Sequence, residues 1–152
     1  MRSPVGITVR NDEMGSGYFG TPRTRGKKRH THTGVDIIVS PGEQIFAPED
    51  CTVERLGICY GSDPEFHLIA VSSLSFKHRI LYIKPCVIAG ARLKEGDPIG
   101  HAQNIQDRHG DKMIPHIHWD ILVGSLLDSH IPANENIITY VWINPMNLLG
   151  LR

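Results

Sequence analysis

The chain has 152 residues, 40% of them hydrophobic and 21% charged, and its 16 basic side chains balance 16 acidic ones. That length suits one domain with a core of its own, and the charge balance gives no global pull toward nucleic acid or an anionic membrane. The N-terminus "MRSPVGITVR" lacks the apolar stretch of a secretory signal, and no run approaches the ~20 apolar residues of a membrane span, so a soluble protein is expected.

Short runs rich in β-branched residues predict strands at 6–10, 35–39, 44–48, 51–60, 66–72, 77–84, 98–103, 114–123 and 140–143. Turn signals such as "SPGE", "YGSDPE", "KEGDP" and "IPANEN" separate them. Only "NIQDRHG" and "NPMNLLG" suggest helical turns, and the 15 Gly and 10 Pro suit a loop-rich sheet protein. The fold class is therefore mainly β, in a single domain over 1–152. The basic stretch "RTRGKKRH" (23–30) reads as a solvated loop leading into the next strand. It has no interleaved aromatics, which weighs against nucleic acid, while contact with an anionic polymer lies between the two readings.

Cys51, Cys59 and Cys86 are odd in number and form no C-x-x-C pair, which argues against a zinc knuckle and a disulfide framework. Buried free thiols are the preferred reading, with a Cys51–Cys59 bridge across a hairpin as the alternative. The nine histidines are many for this length and justify a search for a metal site.

The stretch "KMIPHIHWDIL" (112–122) has the composition of a strand, and Pro115 would sit poorly inside a helix. Strand alternation then puts Ile114, His116, His118 and Asp120 on one face and Ile117, Trp119 and Ile121 on the other. In "HTHTGVDII" (30–38), His32 and Asp36 lie on a loop feeding a strand, and Gly34 lets the backbone fold tightly enough to aim both at one point. Imidazole and carboxylate suit Zn²⁺, and one histidine of "HIH" completes His₂Asp with an open fourth position, the arrangement of a catalytic zinc. His30 also forms an H-x-H pair with His32 and is the nearest competitor as ligand.

Taken in order, "GSGYFGTPR…HTGVD", "LKEGDPIG", "PHIHWDI" and "INPMNLL" resemble the lysostaphin-type peptidoglycan endopeptidases, over about residues 11–149. The resemblance implies an antiparallel sheet groove with few short helices and one zinc per chain, held by His32, Asp36 and His118. It implies a zinc endopeptidase that hydrolyses peptide bonds in the stems or cross-bridges of bacterial peptidoglycan, with His116 as general base or transition-state donor. Asp120, two residues past His118, either orients that ring through its second nitrogen or faces solvent. Without a signal peptide, such an enzyme would reach the wall or periplasm through a phage, lysis or a secretion apparatus. No membrane partner is expected.

The pattern departs from the family at one strand. Where a "Tyr-x-His" is usual, this chain reads "LYIKP", with Lys84 in the histidine's place. That version is similar to the leukocyte cell-derived chemotaxins, zinc-site relatives regarded as signalling proteins, so a catalytically impaired recognition module is the alternative function. If the chain is an enzyme, Tyr82 and Lys84 are the candidates for the missing catalytic group, and alternation puts both on one face. His78 shares that parity, but six residues at ~3.3 Å each carry it about 20 Å away. His101, His109 and His130 read as surface residues. Groove specificity is expected from 60–65 and 124–136.

Overall fold

The computed structural model describes residues 1–126 and 138–149. The strands are β1 (Asn11–Asp12), β2 (Gly15–Ser16), β3 (Pro22–Arg25), β4 (Lys28–Thr31), β5 (Gly34–Ile38), β6 (Gln44–Phe46), β7 (Cys51–Tyr60) and β8 (Asp63–Ser72). They continue with β9 (Lys77–Leu81), β10 (Ile83–Pro85), β11 (Arg92–Leu93), β12 (Pro98–Ala102), β13 (His116–Leu126) and β14 (Ile138–Ile143). Among the described residues, helix is confined to the single turn α1 (Gln106–His109) and a 3₁₀ turn at Pro145–Leu148.

The main sheet is antiparallel and runs β11-β7-β8-β9-β13-β14, with β5 also paired to β13. Strand β13 is its axis. One edge pairs with β9, while the other is divided between β5 at 116–120 and β14 at 121–126. A smaller sheet, β10-β12-β6, carries Ile45, Ile83 and Ile99. These join Val35, Ile37, Ile69, Val71, Ile80, Ile117, Trp119 and Ile121 of the main sheet in one buried cluster. Burial on the order of 25 cal/mol per Å² of apolar surface drives this arrangement. The alternation read from "HIHWDIL" is met, because Ile117, Trp119 and Ile121 are fully buried in the cluster.

Four local expectations need correction. Residues 23–30 are not a loop. They form the β3–β4 hairpin, closed by the two-residue turn Gly26-Lys27 with Gly26 at φ 61, and the charge of the segment obscured its alternation. The expected strand at 6–10 contributes only the isolated bridge Val9–Ile37. The run 77–84 is broken at Tyr82, where φ is 68, so β9 and β10 belong to different sheets. Finally, the alternative Cys51–Cys59 bridge does not form, since the two open and nearly close the same strand, roughly 26 Å apart at strand rise. The thiols are free as preferred, but only Cys51 is buried, with Cys59 half-buried and Cys86 exposed. The segment 124–136 and His130 fall largely or wholly outside the described residues.

Candidate metal centre

Antiparallel register sets His118 of β13 directly opposite Asp36 of β5. Their side chains meet with Nδ1 and Oδ1 3.0 Å apart. His32, just past the end of β4, brings Nε2 to 3.0 Å from His118 Nδ1 and 3.1 Å from Asp36 Oδ1. All three residues are buried. His30, two residues earlier, is exposed on the cleft wall and lies outside this cluster. Gly34 serves the convergence differently from expected. Its φ is not left-handed; instead a Cβ there would strike the Trp119 carbonyl and lie 2.8 Å from Asp120 Cβ and 2.9 Å from His118 Cε1. Only a residue without a side chain lets β5 approach β13 this closely.

The remaining atom of each ligand candidate is fixed from behind. His32 Nδ1 donates to the Tyr18 carbonyl at 3.0 Å, and His118 Nε2 donates to Asp120 Oδ2 at 3.2 Å. Asp120 is fully buried and not solvent-facing, and Arg79 holds it through Nε and Nη2. Asp36 Oδ2 accepts from Arg10 Nη2 at 3.1 Å and Arg23 Nη2 at 3.2 Å. Buried Arg10 also binds Asp12, whose other oxygen accepts from the Ile114 amide just before β13. Sequence reasoning missed Arg10, Arg23 and Arg79, because a single arginine in a short run carries no signal of its burial.

These contacts decide the tautomers. Since Tyr18 O and Asp120 only accept, His32 turns a bare Nε2 and His118 a bare Nδ1 toward Asp36 Oδ1. Three lone-pair atoms thus converge 3.0–3.1 Å apart with no donor of their own. A cation, or a shared proton, must separate them. A tetrahedral zinc about 2.0–2.2 Å from N and O ligands sets those atoms about 3.3–3.6 Å apart, a few tenths of an ångström wider than here, so the donor set fits the metal after a slight opening. In the metal-free chain a proton takes that place. Burial disfavours charge on His118, but Asp120 and Asp36 outweigh it and raise the ring to about 9. Burial likewise pushes Asp36 up, and the imidazoles of His118 and His32 beside it reverse this, holding it well below the usual carboxylate range.

A cleft of about 470 Å³ opens over the cluster, and His116 and Tyr82 line it. His116 Nδ1 donates to the Ile114 carbonyl at 2.7 Å, so its bare Nε2 is the nitrogen left for chemistry, 4.0 Å from Asp36 Oδ2. Burial lowers the His116 pKa below its ordinary value, against the pull of Asp36, and keeps the ring a neutral base. The Tyr82 ring stands edge-on to His116 with centroids 5.5 Å apart. Lys84 is not brought there. The left-handed turn at Tyr82 cancels the strand parity that joined the two, and Lys84 is exposed over a separate hollow beside Asp63, Glu65 and His101. His78 lies on the core side, fully buried against Trp119 and Glu49. His109, read as a surface residue, is exposed yet lines the cleft with Tyr60.

No family model matches the sequence. Myeloid protein 1 from Gallus gallus is 32% identical over 114 residues, covering 70% of this chain and 32% of that protein, so this chain spans about a third of the relative's length. Among solved structures, a zinc-containing peptidase from Vibrio cholerae is 25% identical, with a TM-score of 0.58 over 80% of this chain and 36% of that one. The catalytic domain of the antimicrobial peptidase lysostaphin from Staphylococcus simulans is 20% identical. Its TM-score is 0.57, over 88% of this chain and 89% of that one. The chain therefore has the lysostaphin-type peptidase fold, and the resemblance read from its motifs, with a chemotaxin-like catalytic strand, is borne out.

Proposed function

We propose that this protein is a zinc metalloendopeptidase that hydrolyses peptide bonds in the stems or cross-bridges of bacterial peptidoglycan. The observation that carries the reading is the donor set: His32 Nε2, Asp36 Oδ1 and His118 Nδ1, buried, mutually 3.0–3.1 Å apart and opening onto a cleft. These three would hold the metal, leaving a fourth position open to the cleft. Zinc supplies Lewis acidity toward the scissile carbonyl and brings the pKa of bound water near 7.

The chain's own groups do the rest. His116 Nε2 is bare and held beside the cluster, so it can take a proton from attacking water and return it to the leaving amine. The Tyr82 hydroxyl can donate to the carbonyl oxygen as charge develops there. Arg10 and Arg23 hold Asp36 by its second oxygen and keep it aimed. Among the described residues no helix is long and apolar enough to cross a membrane.

The similarity to Myeloid protein 1 and the exposed Lys84 favour a second reading, a recognition module of the chemotaxin-like kind that binds through the same cleft without cutting. Digestion of purified cell wall by protein of measured zinc content separates the two. Release of new amino termini that chelation abolishes supports the peptidase; full zinc occupancy with no release supports the module.

A further inference from the structure

Among the described residues, Tyr82 is the only non-glycine with a left-handed backbone, at φ 68. A side chain is strained in that conformation, and glycine would avoid the strain. Two backbone hydrogen bonds enforce the turn, Tyr82 N to His67 O at 2.9 Å and Gln103 N to Tyr82 O at 2.8 Å. What the turn achieves is to place the phenol in the cleft, against His116.

The hydroxyl does not stand alone. Tyr60 Oη donates to Tyr82 Oη at 3.1 Å and lies 3.0 Å from His109 Nε2. Tyr60 has one proton. With that proton given to Tyr82, Tyr60 can only accept from His109, so Nε2 carries the imidazole hydrogen. The direction of the chain is then His109 to Tyr60 to Tyr82, and the Tyr82 proton is the one with no protein acceptor among the described residues. The outer end is secured as well. The Arg108 guanidinium sits 3.9 Å above the Tyr60 ring, and Asp63 anchors it.

Three residues from β7, the β9–β10 joint and the end of α1, far apart in sequence, are thus tied together. We propose that His109, acting through Tyr60, fixes the Tyr82 hydroxyl as a hydrogen-bond donor aimed at the substrate carbonyl in the cleft. Tyr82 meets the substrate; Tyr60 and His109 are positioning residues. The inference rests on the peptidase reading above.

The test uses the zinc-loaded chain, with purified bacterial cell wall as substrate. The first measurement is the side-chain nitrogen spectrum of His109. The Nε2–H tautomer is expected, and Nδ1–H overturns the chain, because Tyr60 would then have to donate to His109. The second is kinetic. Tyr82→Phe should lower kcat about 10²–10³-fold and Tyr60→Phe roughly 10-fold, with KM and zinc content unchanged. His109→Gln, which keeps a donor, should retain most of the rate that His109→Leu loses. A Tyr60→Phe protein with wild-type kcat, or equal losses in both His109 variants, overturns the proposal. A wild type inert on every wall preparation overturns the peptidase reading instead, and the His109 tautomer then decides the chain by itself.

Discussion

His118 and Asp36 face each other across the β5–β13 ladder, and their Nδ1 and Oδ1 atoms are 3.0 Å apart at the point where His32 joins them. Backbone register, not loop geometry, places two of the three ligand candidates. Replacing His32, Asp36 or His118 by Ala should therefore remove metal without unfolding the sheet. Metal analysis should show loss of stoichiometric zinc in each variant. Zinc at 1,000 times its Kd should add about 4 kcal/mol to wild-type stability and almost nothing to the variants. Full zinc in His32→Ala would transfer the ligand role to His30.

His116→Ala makes the opposite prediction. Its Nε2 points into the cleft but stays outside the cluster, so zinc content should hold while wall cleavage falls about 10²–10⁴-fold. Loss of metal in this variant would mean that His116 is a ligand.

Lys84 offers a clean negative. Its side chain is exposed over another hollow, so Lys84→Met should leave cleavage within about 2-fold of wild type, and Lys84→His should add no activity. A large loss in Lys84→Met would show that this lysine reaches the cleft.

Gly34→Ala tests the strand approach. The added Cβ would meet β13 backbone and His118 at distances real Cβ atoms do not show, so β5 must move away. Destabilisation of about 1–3 kcal/mol is expected, with weakened zinc binding, although residue 34 is no ligand. Thermal unfolding with and without chelator reads both effects.

On the core side, Trp119 Nε1 donates to His78 Nδ1 at 3.3 Å, and His78 Nε2 donates to Glu49 at 2.6 Å. Burial pushes Glu49 up, but the hydrogen bonds from His78 and Ser73 outweigh it and hold its pKa below 4.5. A carboxyl depressed in this way adds stability that is present above its unfolded value and lost as pH falls through the folded one. Glu49→Gln should thus cost about 1 kcal/mol at pH 7 and flatten the loss of stability below pH 4.5. Identical acid unfolding curves for the two proteins would refute this.

Period-two alternation made β13 and its two faces legible, and β7 was read with its true bounds because turn residues flank it. The convergence of His32, Asp36 and His118 could be anticipated because the ligand types and their order carry it. The Arg10–Asp36 pairing, the Tyr60–His109 contact and the role of Gly34 were not, since each depends on which strand lies beside which. Lys84 failed for a related reason. Alternation holds only within an unbroken strand, and nothing in "LYIKP" announces that Tyr82 turns left-handed.

The step at Tyr82 also governs how the chain can change length. A single residue carries the chain from β9 in the main sheet to β10 in the smaller one, and its backbone is bonded on both sides, to His67 and Gln103. An insertion or deletion between Leu81 and Ile83 would shift the pairing of β9 or β10 and flip every side chain beyond it. In the β8–β9 hairpin, by contrast, Leu74 at the tip is fully exposed, so tags or grafted loops belong at that position, with Ser73 and its bonds to Phe76 kept, and not at the joint.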